Sequence, residues 1–226
     1  FVGSQITSLT LPDGFESMDD TAFWYMPKLQ RVDLGGTKAL TDSAFRYDKA
    51  LAEVNFRPDL NRLTDVGDYA FDGSALVSVS LPDSVTSIGK GAFAGNAALR
   101  SVHLGSGLTS IGESAFVDAS NLASLSVAPT NSAFSVEDGV LYSKGDTGRT
   151  LVLYLPTNGA SEFTVPDGTV AIADTAFAHN MSLRRVVLPE GLTTIGYGAF
   201  DGCDNLTDIV IPDSVTVARG LVNNGL

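Results

Sequence analysis

Residues Leu81 to Phe93 read LPDSVTSIGKGAF, and residues Leu188 to Phe200 read LPEGLTTIGYGAF. Two stretches so alike and so far apart mark an internal repeat, and a repeat at fixed period is the signature of stacked supersecondary units. The closing Ala-Phe is the most regular mark, with Phe at positions 23, 45, 71, 93, 116, 177 and 200, hence spacings of 22, 26, 22, 23, 61 and 23. The unit is about 23 residues, with one interruption. Working outward, a Leu follows five or six residues after each Phe and opens the spacing L-x-x-V-x-L, as in Leu76, Val79, Leu81 and Leu99, Val102, Leu104. Apolar residues alternating with polar ones predict a strand with one buried face. Pro12, Pro82, Pro189 and Pro212 follow at once and end pairing, because proline has no N–H to donate. After Ala-Phe there is room only for a single helical or 3₁₀ turn.

Composition agrees. The chain has 226 residues, 44% hydrophobic and 18% charged, so it is apolar enough to fold. The net charge of −12 disfavours a nucleic-acid ligand, whose phosphates need a basic face. Apolar runs are far shorter than the ~20 residues of a membrane helix, so no membrane span is expected. One cysteine, Cys203, excludes an internal disulfide framework. The chain begins without Met inside a patterned segment, which points to a piece of a longer protein.

A single unit cannot fold alone. Burying about six apolar side chains at roughly 2 kcal/mol each does not offset ordering some 23 residues at 1–2 kcal/mol apiece. Stacking is therefore required, with each Phe on the next, in a quasi-one-dimensional solenoid. Strands are expected around Leu9, Val32, Val54, Val79, Val102, Leu125, Phe163, Val186 and Ile209, and nine of them at ~4.8 Å would give a sheet roughly 40 Å long. Residues 129–161 break the rhythm. There Val140–Tyr142 and Leu151–Tyr154, joined by the turn-rich Lys144–Arg149, predict a β-hairpin inserted between repeats 1–128 and 162–226. The expectation is one domain over 1–226.

The pattern L-x-x-V-x-L-P-x-x-V-x-x-I-G-x-x-A-F resembles the BspA-like, or treponemal-type, leucine-rich repeats. The segment VEDGVLYSKGDTGRTLVLYLP at Val136–Pro156 is similar to the D-G-V-L-Y hairpin often inserted in that family. The likeness spans nearly the whole chain, with local departures: the second repeat lacks Pro and Ile-Gly, the third is longer, and Ser214–Leu226 loses the Ile-Gly-Ala-Phe part, as an end or cap would. The resemblance implies a right-handed, β-rich leucine-rich-repeat solenoid with one short parallel strand per repeat. It also implies an extracellular or cell-surface bacterial protein, secreted or anchored, whose role is adhesion or protein–protein interaction. The implied partner is a host matrix protein or a protein of a neighbouring cell. No catalytic residues and no cofactor come with the family.

Polar positions alternating with the buried ones line the exposed face of the strands. The candidate ligand surface is Arg31, Asp33, Glu53, Asn55, Ser78, Ser80, Ser101, His103, Ser124, Ser126 and Arg185, a hydroxyl-rich floor with Arg31, Glu53 and Arg185 as charged borders. The plain alternative is a solubilised sheet in a passive structural spacer, since the floor lacks the Trp, Tyr and clustered Arg of binding hot spots. Trp24 and Tyr25 are a second possible contact. A hydrolase using His103 with Ser80, Ser101 or Ser126 is the weakest reading, because no nucleophile elbow and no placed carboxylate accompany them. Asp-Gly at Asp13, Asp72, Asp138, Asp167 and Asp201 reads as turns without shared ligand spacing, so no metal is expected. Cys203, three after Phe200 where Asn96 and Asn180 stand in other repeats, reads as a small inward polar residue.

Overall fold

Three-residue strands form where one inward apolar residue is flanked by two polar ones. A computed structural model describes residues 1–220, which contain no helix. Contacts gather them into two units, Phe1–Ser132 and Ala133–Leu226. The first holds β1 (Ser8–Thr10), β2 (Arg31–Asp33), β3 (Ala39–Leu40), β4 (Glu53–Asn55), β5 (Asp65–Val66), β6 (Ser78–Ser80), β7 (Ser87–Ile88), β8 (Ser101–Leu104), β9 (Ser110–Ile111) and β10 (Ser124–Val127). The second holds β11 (Phe134–Glu137), β12 (Val140–Ser143), β13 (Arg149–Tyr154), β14 (Glu162–Thr164), β15 (Thr169–Ile172), β16 (Arg185–Val187), β17 (Thr194–Ile195), β18 (Asp208–Val210) and β19 (Val217–Ala218). All nine expected strands are present, paired in parallel register within three groups of three, as in Val79↔Val102 and Val186↔Ile209.

The solenoid is as expected, and two details of its sheets add to that reading. The coils add a second strand of two to four residues, at Ser87-Ile88, Ser110-Ile111 and Thr194-Ile195 where the Ile-Gly pattern is complete and at the equivalent Ala39–Leu40 and Asp65–Val66, pairing β3-β5-β7-β9 in the first unit; two residues are too few to show a period. The front strands of the first unit are also not continuous, forming β1-β2-β4 and β6-β8-β10. The longer third repeat causes this break. Val77 N–H still reaches the Ala52 carbonyl (3.2 Å), but beyond Asn55 the chain turns away as Arg57 adopts φ +51° and gives its amide to the Asn55 side chain (3.1 Å).

The segment around Ala-Phe is a ladder of turns rather than the helical turn expected. In all seven copies the residues two before and two after the Phe are left-handed, with φ between 54° and 67°, whether Gly91 and Gly95 or Tyr69 and Thr175. The alternation sends amides 91, 93 and 95 to carbonyls 113, 115 and 117 of the next coil, while amides 92 and 94 close tight turns within their own. Every amide is thereby used, which offsets the roughly 1 kcal/mol or more of left-handed strain at non-glycine positions. The Ile-Gly glycines have another cause: a Cβ at Gly89 would lie 2.6 Å from the Gly67 carbonyl carbon, inside the preceding coil's backbone.

Inside, the phenyl rings of residues 1, 23, 45, 71, 93 and 116 stack at 5.3–5.5 Å. In the second unit the column runs Tyr154, Phe177, Phe200 at 5.1 and 4.8 Å. In three coils the residue three after the Phe points inward and donates to the previous coil's aromatic residue: Ser74 Oγ to the Phe45 carbonyl (3.2 Å), Asn96 Nδ2 to Phe71 (2.8 Å) and Cys203 Sγ to Phe177 (3.0 Å). Cys203 thus has the inward polar role expected of it, and burial pushes its thiol up to about 11, far from reactivity.

The expected hairpin is β12–β13, antiparallel with Val140 opposite Tyr154. A further strand, β11, pairs with β12 through a two-residue loop, Asp138-Gly139, in which both residues have positive φ. β13 then pairs in parallel with β15, so the insertion opens the rear sheet β11-β12-β13-β15-β17-β19 instead of standing apart, while β14-β16-β18 form the front. The segment Ser214–Leu226 still forms β19, and its last six residues lie outside the described ones.

Candidate interaction surface

The three front sheets present their alternate side chains outward, and their surfaces differ. On β1-β2-β4, Arg31 Nε meets Glu53 Oε2 at 3.0 Å, with both side chains more than 60% exposed. Beside this pair lies a shallow depression of about 510 Å³, lined by Thr7, Ser8, Gln30, Arg31, Ala50, Ala52 and Glu53. Ala50 and Ala52 make it possible, because a methyl group leaves space where longer side chains would fill it. Thr7, Gln30, Ala50 and Ala52 precede the strands, so a reading confined to strand alternation passes over them.

Asp33 and Asn55 occupy the next row and are bound into the scaffold. Asn55 Nδ2 donates to Asp33 Oδ2 (2.9 Å), and the Arg57 guanidinium reaches Asp33 (3.3 Å), Asp13 (2.8 Å) and Asp59 (2.9 Å). Burial pushes the Asp33 carboxyl up, but hydrogen bonds from the Gly35 amide, Asn55 and Arg57 outweigh it and hold the group below its ordinary range. Arg57 fixes the longer loop against two earlier coils.

On β6-β8-β10 the rows are Ser78, Ser101, Ser124 and Ser80, His103, Ser126, all in lateral register. His103 Nδ1 lies 2.9 Å from Ser126 Oγ. The Ser–His pair is therefore real, yet both residues are exposed, and no carboxylate among the described residues hydrogen-bonds the imidazole. The nearby Asp83 accepts from the Ser106 amide (2.7 Å) and hydroxyl, which hold it low and commit it to the turn. In the second unit Arg185 faces Asp208 (3.4 Å), and the adjoining row exposes Val187 and Val210. The candidate residues thus fall into groups: Arg31 with Glu53, Asp33 with Asn55, the serines with His103, and Arg185 in the second unit.

Trp24 and Tyr25 are partly exposed and tilted against each other at 6.3 Å. His179 is exposed, with its ring over Gly202. Among the described residues no three His, Cys, Asp or Glu side chains gather as a metal would require, and no helix is long and apolar enough to cross a membrane.

The repeat geometry has a counterpart in family terms: the BspA type leucine rich repeat region matches residues 1–65, 64–143 and 156–220. The chain belongs to the BspA-type leucine-rich repeat family. The same fold occurs in a leucine-rich repeat protein of Eubacterium ventriosum, 21% identical with a TM-score of 0.80, over 96% of this chain and 63% of that one. The pneumococcal vaccine antigen PcpA is 24% identical with a TM-score of 0.72, over 92% and 61% of the two chains. A leucine rich cell surface protein of Faecalibacterium prausnitzii is 22% identical with a TM-score of 0.61, over 94% and 71%. The present chain thus spans less than two thirds of the first two. No curated sequence matches it. Identities this low carry the fold, and the family's repeats point to protein interaction.

Proposed function

We propose that the chain, acting as one repeat domain over 1–226, is a non-catalytic interaction module of a bacterial surface or secreted protein. The exposed floor of its front strands takes an extended protein segment, from a host matrix protein or a neighbouring cell, in adhesion. The observation that carries this is the depression beside Arg31–Glu53, where small side chains, donors, acceptors and both charges meet on a rigid sheet. The kinship with a cell surface protein and a vaccine antigen supports the location. The test is binding of the purified chain to immobilised matrix proteins and to whole cells, compared with Ala50→Trp and with Arg31→Ala combined with Glu53→Ala. The expected result is at least about a tenfold loss of affinity, or ~1.4 kcal/mol, with an unchanged circular dichroism spectrum. Binding that survives both changes removes the floor from the reading.

A second reading, the passive spacer, is favoured by the mutual pairing of Arg31 with Glu53, Arg185 with Asp208, and Asn55 with Asp33. A spacer binds none of the probes with or without the substitutions. The hydrolase reading requires ester or amide turnover that His103→Ala abolishes.

A further inference from the structure

Asp48 stands three residues after Phe45, in the inward column where Ser74, Asn96 and Cys203 each donate to the previous coil's aromatic carbonyl. It is fully buried. Its Oδ1 accepts the Met26 amide at 2.6 Å, and its Oδ2, equally buried, has no partner. The carbonyl that the column assigns to it is that of Phe23, which accepts no hydrogen bond among the described residues. A carboxylate cannot donate there, and an ionised oxygen facing a carbonyl oxygen repels it; a carboxylic acid can donate. Asn96 shows the complete arrangement, accepting from the Leu76 amide through Oδ1 (3.2 Å) while Nδ2 donates to Phe71.

We propose that Asp48 is held as a neutral acid whose Oδ2–H donates to the Phe23 carbonyl, so that one proton adds a buried hydrogen bond between the first two coils and makes their junction sensitive to pH. The surrounding charges do not stand in for that proton. On its own segment, Lys49 and Tyr47 are exposed, and Arg46 is paired with Asp72 of the following coil (2.8 Å). From the preceding coil Tyr25 and Lys28, on either side of Met26, are both exposed. Burial is the main influence on the carboxyl and, against the pull of the Met26 amide, pushes it up from 3.8 to about 7.

The sign follows from proton binding. Below 3.8 the folded and unfolded chains both carry the proton, and the junction is intact. Between 3.8 and about 7 only the folded chain keeps it, so stability falls as pH rises and then levels off. The junction is joined along the chain to the depression, since Met26 leads into Gln30 and Arg31, and Asp48 into Ala50.

Trp24 is the chain's one tryptophan and lies two residues from Met26, so its fluorescence reports on this junction. The expected result is a fluorescence transition with a midpoint near 7 in the wild type, absent in Asp48→Asn, which can accept and donate at any pH. Exchange of the Met26 amide should quicken about tenfold per pH unit across the window, beyond its intrinsic base catalysis, and Asp48→Asn should abolish that excess. Carboxyl-carbon NMR of the unsubstituted chain reads the same ionisation should the variant fail to fold. A carboxyl that titrates in the ordinary range near 3.9, or a transition that persists in Asp48→Asn, overturns the proposal.

Discussion

The two aromatic columns do the same work with different materials. In the first unit phenyl rings alone stack, the inner pairs within 8° of parallel. In the second, the hairpin strand β13 supplies the first ring: Tyr154 stacks on Phe177 at 30° and meets Phe163 edge-on at 4.7 Å. Its hydroxyl is buried without a partner. The pure column can be extended by any coil that carries Ala-Phe. The mixed one accepts a ring from a different backbone, at the cost of tilt and an unsatisfied polar atom. A solenoid core therefore needs an aromatic ring at each level more than it needs the repeat that usually brings it.

The strongest way to break the comparison is to remove a ring from each column. Phe93→Ala takes a fully buried ring from between two parallel neighbours and should cost about 3–5 kcal/mol. Phe177→Ala should cost as much or slightly less, because Phe163 stands close enough at 6.0 Å to relax toward the gap. Urea unfolding with amide exchange at each site measures both. A smaller loss at Phe93 than at Phe177 would show that parallel stacking is not what holds the first unit.

Alkali should separate the units next. Burial pushes Tyr154, and Tyr142 beside Arg149, up to about 12 from 10.0. The folded state keeps protons that the unfolded state gives up, so each tyrosine's contribution is complete below pH 10 and is lost as pH rises toward 12, about 2–3 kcal/mol apiece. The phenyl column has nothing to ionise. Amides around Phe177 should lose protection across that window before those around Phe93 do. Tyr154→Phe removes both the alkaline loss at that site and the orphaned hydroxyl, and should stabilise the second unit by about 1–2 kcal/mol at neutral pH. A destabilised Tyr154→Phe would mean that the hydroxyl has a partner such as ordered water.

The contrast also shows why some of this fold could be read from sequence. Ala-Phe and L-x-x-V-x-L recur because each coil buries the same faces, so all nine front strands and the hairpin were legible. What escaped were features whose residues vary: the left-handed positions hold Thr, Tyr, Ser, Asp or His as readily as Gly, since backbone ladder bonds rather than side chains impose them. β11 had a signal, the Asp138-Gly139 loop, masked by its placement in a segment already assigned to a hairpin. On the front face, the strand alternation showed which side chains point outward. The depression depends on Ala50 and Ala52, whose contribution is the space they leave empty. Sequence patterns register what side chains fill.

The smallest expected effect tests the register from the other side. Lys90 lies three residues before Phe93, at the surface, where its amide donates to Asp68 Oδ1 (2.7 Å) and its ammonium meets Glu113 at 3.1 Å. Both side chains of that ion pair are at least half exposed, a setting in which such pairs are worth at most a few tenths of a kcal/mol. Lys90→Ala leaves the amide bond in place and should change stability by less than about 0.5 kcal/mol. Asp68→Ala, one coil earlier at the same register, deprives that amide of its acceptor and should cost about 1 kcal/mol. The order Phe93, then Asp68, then Lys90 follows from inward ring, ladder cap and solvated tip. Equal losses in thermal unfolding at positions 68 and 90 would mean that the side-chain cap contributes nothing beyond the charge pair at the surface.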